Sequence, residues 1–335
     1  MRAVVLVGGF GTRLRPLTDT RPKQMLPIVN RPMIEHVVDH LCDHGIDDVV
    51  LSLGYRPDGF TGAYPDGTCS RTRLHYAVEP EPLDTAGAIR FAAVDAGIDE
   101  RFLVLNGDVL TDLDVTGFVA FHEAAGAEGT IALHRVDDPS RYGVVPTDGD
   151  GRVVAFVEKP PPGEAPTDLI NAGTYVLEPS VIDRIEPGRK VSVEREVFPA
   201  MVVDGTLFAR DGSTYWIDTG TPQEYIQAQL DLVDGLRGEP CEGVHPAARV
   251  HPEATVKRSV VGAGAAVGAG ARVVGSVLLP GVHVGAGALV DSSVVGVGSE
   301  IGAGAQVAGL SVIGDAQVVA PGERLHGARH PQVCP

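Results

Sequence analysis

The chain has 335 residues, 44% of them apolar, and a formal net charge of −17, so it is long and hydrophobic enough for two domains, each with its own core. Such acidity argues against a nucleic acid or an anionic membrane as partner, and no apolar run approaches the ~20 residues of a membrane span. The four cysteines, at 42, 69, 241 and 334, follow no metal or C-x-x-C spacing and no signal peptide precedes them. A cytoplasmic protein with reduced thiols is therefore expected.

The elements up to about residue 234 alternate. A strand is predicted over 2–7, a helix over 33–44 with Ile34, Val37, Val38 and Leu41 on one face, strands over 49–53 and 73–78, a helix over 85–96 and a strand over 102–106. That alternation implies an α/β domain with a doubly wound, mostly parallel sheet, which binds its ligands beyond the carboxyl ends of the strands. The segment Gly8–Lys23 and the triplet Asn106-Gly107-Asp108 then share one rim. Further strands are expected at 129–136, 143–146, 152–157, 173–177 and 206–210, with helices near 194–203 and 222–234. The domains expected are 1–234 and 245–330, joined by a polar, Gly/Pro-bearing linker at 235–244.

From 245 onward the chain repeats. Aliphatics recur every six residues (Val250, Val256; Val261, Val267, Val273; Leu278, Val284, Val290; Val295, Ile301, Val307), and a five-residue step closes each group. The larger period appears in Ser259-Val260, Ser276-Val277, Ser293-Val294 and Ser311-Val312, spaced 17, 17 and 18 residues apart. Three short faces per turn make a triangular coil, stacked at about the ~4.8 Å inter-strand spacing. Each face would point one aliphatic inward, with Gly and Ala at the corners. This tail has a charge of about +1 against about −18 for residues 1–244, and it reads as a scaffold and assembly surface without chemistry.

Chemistry concentrates near the N-terminus. Gly8, Gly9 and Gly11 follow the first strand, where small residues let backbone N–H groups approach an anion, and Arg13, Arg15, Arg21 and Lys23 add positive charge. Residues 1–31 hold six Lys or Arg and one acid, Asp19, a local reversal of sign that calls for an anionic ligand. The loop lacks the third glycine of a dinucleotide fingerprint and the Gly-Lys-Ser/Thr of a Walker loop.

The run from Gly8 to Pro27 instead resembles the sugar nucleotidyltransferase signature G-G-x-G-T-R-L-x-P-L-T followed by P-K-x-x-x-P. The resemblance continues in Glu79–Gly87 (E-x-x-P-L-G-T-A-G), Asn106-Gly107-Asp108, Phe156–Pro160 (F-x-E-K-P), Asn171-Ala172-Gly173 and Trp216–Gly220. Ser192–Pro199 is similar to the mannose-1-phosphate guanylyltransferases in particular. Hexapeptide repeats such as those of the tail resemble the left-handed parallel β-helix, so the resemblance covers nearly the whole chain. It implies a Rossmann-like nucleotidyltransferase domain followed by a left-handed β-helix.

The resemblance also implies a reaction in which a sugar 1-phosphate oxygen attacks the α-phosphorus of a nucleoside triphosphate and expels pyrophosphate. Catalysis is then positioning plus charge neutralisation. Gly8, Gly9, Gly11, Thr12, Arg13, Glu79 and Gly87 are the implied nucleotide contacts, with Arg13 and Lys23 the catalytic cations. Asp108 and Asp218 are the implied Mg²⁺ ligands, a hard cation suiting two anionic substrates. Lys159 is expected on the sugar phosphate, and Gly143, Glu158 and Asn171 on the sugar; the chain has only four lysines (23, 159, 190, 257), and Lys190 has no assigned role.

Glu79 occupies the place where thymidylyltransferases read the base with Gln. A carboxylate only accepts hydrogen bonds, and guanine offers two adjacent donors where uracil and thymine offer one. GTP and mannose 1-phosphate are thus the expected substrates; the alternatives are a glucose-1-phosphate thymidylyl- or uridylyltransferase, or a catalytically idle regulatory homologue. A hexapeptide acyltransferase with His283 or His326 as base is a third class, disfavoured by the short tail. Two residues depart from the family pattern: Gln24, where many guanylyltransferases have Pro, and Asp84, where the family has Gly. Asp84 either orders a turn or reads a sugar hydroxyl. The flat Gly/Ala-rich coils suggest a homo-oligomer formed through the β-helix domain.

Overall fold

The computed structural model describes residues 1–332, so Cys334 lies outside the described residues. Two compact units emerge, Met1–Gly9 with Ile34–Trp216, and Phe10–Met33 with Ile217 onward. The second unit thus takes the segment that follows the glycines along with the C-terminal repeat.

In the first unit the central strands Phe102–Asn106, Arg2–Leu6, Asp48–Leu53 and Thr72–Val78 run parallel in that order. The first three carry near-continuous aliphatic runs because both faces are covered, with Ala3, Val4 and Val5 fully buried, as are Val49, Val50 and Leu51, whereas Thr72–Val78 alternates buried with exposed residues. The register sets Leu6 beside Ser52 and Asn106, and Leu53 beside Val78. The carboxyl ends therefore form one rim, as the alternation of elements predicts. Beyond Phe102–Asn106 the sheet turns antiparallel. Leu169–Leu177 pairs antiparallel with Phe102–Asn106 and with Gly129–Arg135, which pairs in parallel with Leu207–Asp211. Helix Asp84–Asp95 packs on the central strands, placing Ala86, Ile89, Ala92 and Ala93 in a core shared with Val4, Val50, Val104 and Tyr175.

Some local expectations change. The stretch 152–157 is no single strand: Arg152 and Val153 make isolated bridges, and only Val157–Glu158 pairs, with Gly143–Val144. The helix near 194–203 begins as a π-turn, Val193–Val197, and continues as Phe198–Asp204. Helix Val115–Ala125 is an addition. Its interior carries Gly117 and β-branched residues, but the ends are signalled, by Asp114 accepting from the Gly117 N–H and by Gly126 in the left-handed region.

In the second unit the repeat forms three five-stranded parallel sheets, the faces of the left-handed β-helix. Register confirms the period: Val261 pairs with Leu278 and Val256 with Val273, 17 residues on, while Val295 pairs with Ile313, 18 on. The extra residue lies at the Gly309-Leu310 corner. The six-residue aliphatics from Val261 to Val307 fill the core of the coil, but Val250, on the first coil, is 37% exposed. At one corner of successive coils a buried serine, Ser259, Ser276, Ser293 or Ser311, donates to a carbonyl two or three residues back. The Ser259 oxygen accepts the Ser276 N–H of the next coil at 3.2 Å, and the Ser276 oxygen the Ser293 N–H at 3.1 Å. The serine period seen in the sequence is a ladder that satisfies corner N–H groups.

Candidate active site

The rim of the first unit is built by close backbone approach. Gly8 faces Gly54, whose nitrogen would lie 3.3 Å from a Cβ at residue 8, and Glu79 Oε1 would lie 3.5 Å away. A Cβ at Gly107 would meet Val7 at 2.6 Å and the Leu6 carbonyl at 3.0 Å, and the Gly107 N–H donates to that carbonyl. Glycine at 107 therefore lets the Asn106-Gly107-Asp108 turn press on the end of the first strand, leaving Asp108 partly exposed on the rim. Gly9, next along, is exposed, and no protein atom lies within 4 Å of its Cβ position.

Glu79 is held at both oxygens. Ser52 Oγ donates to Oε1 at 3.1 Å and the Leu83 N–H to Oε2 at 3.1 Å. Burial pushes its pKa up, against the lowering effect of these two hydrogen bonds. Each oxygen keeps one lone pair for a further donor. Ser52, fully buried, is a site-positioning residue that the sequence reading missed. Its signal was the single hydroxyl in the aliphatic run from Val49 to Leu53.

The neighbouring helix resolves two motif positions. Asp84 has φ +61°, and its Oδ1 accepts the Thr85 N–H at 2.8 Å. A glycine adopts that backbone freely and Asp tolerates it through the local hydrogen bond. The turn reading of Asp84 is therefore the one its geometry expresses. Gly87 is buried, donates to the Val191 carbonyl, and would bring a Cβ within 2.9 Å of the Arg189 carbonyl. Its lack of a side chain serves contact between helix and the 189–193 segment. That segment is tied further by Glu194, whose Oε2 accepts from Thr85 Oγ1 at 2.7 Å and Ser192 Oγ at 2.8 Å.

A second cluster of predicted residues joins on the antiparallel side. Gly143 pairs with Glu158, and a Cβ on it would lie 2.7 Å from the Phe156 ring and 3.1 Å from Glu158 Oε2. Lys159 takes φ +50° and its ammonium lies 3.0 Å from Glu158 Oε1. Asn171 turns inward: Nδ2 donates to Tyr175 Oη at 2.9 Å and Oδ1 accepts the Gly173 N–H at 2.9 Å. This clamps the register shift between Asn171 and Tyr175, where Gly173, at φ +74°, lets the strand pass the Asn106 side chain. Trp216 donates to the Ala172 carbonyl on the same bulge and stacks on His134 at 5.1 Å. Lys190 is exposed.

In the second unit the four cations after the glycines separate by partner. Arg15 pairs with Asp19 at 3.2 Å and Arg21 with Asp315 at 2.6 Å, so these two meet carboxylates of the protein itself. Gly11 opens the turn Thr12–Leu14 at φ +61°, and its carbonyl accepts from Thr18 Oγ1 at 2.8 Å. Thr12 and Arg13 are exposed on that turn, whereas Lys23 is buried at the start of the next, Lys23–Met25. Arg13 and Asp218 converge on Gly220, where a Cβ would lie 2.6 Å from Arg13 Nη2 and 2.9 Å from Asp218 Oδ1. Gly220 thus leaves room for the Arg13 guanidinium, a packing role that sequence reading of its motif did not assign.

Among the described residues no three His, Cys, Asp or Glu side chains gather as a metal cluster. Asp108, in the first unit, and Asp218, in the second, are each a hard oxygen donor of the class that divalent cations take. No helix among the described residues is long and apolar enough to cross a membrane.

Comparison with known proteins shows the family. Residues 2–235 match the family described as Nucleotidyl transferase, and residues 239–329 the one described as GMPPB C-terminal domain. The chain is 45% identical over 240 residues to a mannose-1-phosphate guanylyltransferase of Mycobacterium tuberculosis, covering 71% of this chain and 66% of that protein. With a mannose-1-phosphate guanyltransferase of Schizosaccharomyces pombe the identity is 43% over 252 residues, covering 74% and 69%. The chain spans about two thirds of the length of these relatives. Among solved structures, HddC from Yersinia pseudotuberculosis, known also in complex with GMP-PN, has a TM-score of 0.59 and 32% identity. That likeness covers 68% of this chain and 97% of HddC.

Proposed function

This chain belongs to the nucleotidyl transferase family, and we propose that it joins GTP to mannose 1-phosphate, releasing pyrophosphate and forming GDP-mannose. The observation that carries the choice of base is Glu79, a half-buried carboxylate held beside Gly8 with one lone pair left on each oxygen. Guanine N1–H and N2–H are adjacent donors that such a group accepts together, and a desolvated carboxylate makes the stronger bonds. The choice of sugar follows the names of the relatives at 45% and 43% identity.

A phosphate oxygen of the sugar 1-phosphate forms the new bond to the α-phosphorus while the bond to the pyrophosphate oxygen breaks; no covalent enzyme intermediate is needed. The glycine backbone at 8, 9 and 11, with Thr12, lets the triphosphate approach, and Arg13 and Lys23 neutralise the α-phosphate and the leaving pyrophosphate. Asp108 and Asp218 are the residues that would hold Mg²⁺, which supplies charge neutralisation between the two anionic substrates. Lys159 takes the phosphate of the sugar, exchanging Glu158 for it, and Glu158 is released toward sugar hydroxyls. Gly143 offers backbone at the same edge, and Asn171 has one N–H and one lone pair beyond its internal bonds. We further infer that residues 1–234 supply this chemistry, with 235–244 as linker and 245–330 as the scaffold of a homo-oligomer, in a cytoplasmic setting where Cys42, Cys69 and Cys241 stay reduced.

A panel of GTP, ATP, UTP and dTTP against mannose-, glucose- and N-acetylglucosamine 1-phosphates, read as pyrophosphate release, tests the proposal. GTP with mannose 1-phosphate should give the highest kcat/KM. Preference for UTP or dTTP would overturn the reading of Glu79, and no turnover with any pair would favour an idle homologue.

A further inference from the structure

The segment between Arg13 and Lys23 is fastened to the β-helix. Asp315 sits on a late coil, only 13% exposed at its side chain, and its Oδ2 receives both Arg21 Nη2 at 2.6 Å and Thr20 Oγ1 at 2.7 Å. Its other oxygen, Oδ1, accepts the Val297 N–H at 2.8 Å from the preceding coil. One carboxylate therefore grips the segment with one oxygen and its own scaffold with the other. Beside it Gly314 lets Pro16 approach: a Cβ at 314 would lie 3.1 Å from Pro16 Cγ.

The face that bears this contact differs from the other two. Val260, Val277, Val294 and Val312 alternate with the core residues Val261, Leu278, Val295 and Ile313 and so point out of the coil. All four are nonetheless buried. Helix Pro222–Val233 packs on the first of these strands, and Tyr225 and Gln229 of that helix bond the Pro27 carbonyl and the Val29 N–H. The segment that carries Arg13 and Lys23 is thereby tied to the β-helix at Pro16, Thr20 and Arg21, and to the covering helix at Pro27 and Val29.

We propose that Asp315 is a positioning residue for the nucleoside triphosphate: through Arg21 and Thr20 it sets the segment on which Arg13 and Lys23 meet the phosphates. The inference rests on the reading that those two cations hold the triphosphate. It gives the β-helix a part in substrate binding, through charge and shape together. Without the carboxylate to hold Arg21, the turn Lys23–Met25 would have to find its place anew at each binding event, at an entropic cost to affinity.

The variants D315N, R21M and the double variant test it in the full-length chain. D315N keeps the volume and one acceptor, so its thermal midpoint serves as a control for folding. Its Kd and KM for GTP should each rise roughly tenfold, the low end for loss of a charge-assisted hydrogen bond, with kcat and the KM for mannose 1-phosphate within about twofold of wild type. R21M should match it, and the double variant should be no worse than either single one. R21K, which keeps the charge, should restore most of the GTP affinity. Wild-type GTP affinity in D315N and R21M, equal rises in both KM values, or additive effects in the double variant would overturn the inference. A wild-type protein that binds no nucleoside triphosphate overturns the proposed function and this inference with it; one that binds GTP while D315N is unchanged overturns only the latter.

Discussion

Replacing Glu79 by Gln changes the acceptor pattern at one point while leaving its supports in place. The amide oxygen can keep the Leu83 N–H, now 3.1 Å from Oε2, and the amide nitrogen then faces Ser52 Oγ, whose proton has an alternative acceptor in the Ala88 carbonyl at 3.4 Å. The folding cost should stay near ~1 kcal/mol or below. Guanine fares differently, because an NH₂ group replaces one of the two oxygens that accept N1–H and N2–H. Loss of a charge-assisted hydrogen bond of about 2 kcal/mol predicts a fall in kcat/KM for GTP of roughly thirtyfold. UTP and dTTP, whose bases offer a donor flanked by acceptors, should gain relative to GTP. The assay is pyrophosphate release with each triphosphate at fixed sugar phosphate, and an unchanged GTP/UTP/dTTP ratio would refute the reasoning. The pH dependence has a definite sign. Burial raises the Glu79 pKa, so its contribution to folding is present below the ordinary carboxylate range and is lost as pH rises through the raised value. Base preference runs the other way: both oxygens accept above that pKa, and the GTP advantage should fade as pH falls through it, a fade that the Gln variant lacks.

Asp84→Gly should leave both KM values unchanged and stability within about 1 kcal/mol, because relief of φ +61° offsets the lost bond to Thr85; a raised KM for the sugar phosphate would show that Asp84 reads a hydroxyl after all. Asp84→Ala, which keeps the strain and loses the bond, should cost about 1–2 kcal/mol in chemical denaturation. Gly220→Ala puts a Cβ 2.6 Å from Arg13 Nη2, so Arg13 must move, and the KM for GTP should rise roughly tenfold while far-UV circular dichroism stays that of wild type. Asp108→Asn should abolish turnover with folding intact; substantial activity in the presence of Mg²⁺ would remove Asp108 from the metal site.

Much of this protein was legible as sequence because its signals are local. An aliphatic run ending in Gly-Gly is a buried strand with a loop at its carboxyl end, and the 17-residue serine period is a coil, since each serine serves the coil next to its own. Helix Val115–Ala125 escaped because its interior propensities are poor and only the caps Asp114 and Gly126 mark it. The stretch 152–157 looked like a strand because alternation alone does not say whether a partner edge exists along its whole length.

The sequence by itself determined which groups are present: a glycine loop followed by a cluster of cations, aspartates at strand ends, and a stacked repeat. Only the tertiary structure decided where each charge is directed. Arg13, Arg15, Arg21 and Lys23 look alike in the sequence, yet Arg21 is matched by Asp315, 294 positions away, and Arg15 by Asp19. Likewise the motif glycines look alike, but Gly107 admits a turn, Gly87 admits a carbonyl and Gly220 admits Arg13. Propensity and periodicity are properties of neighbours along the chain, whereas an ion pair or the space for a missing Cβ depends on residues that only folding brings together.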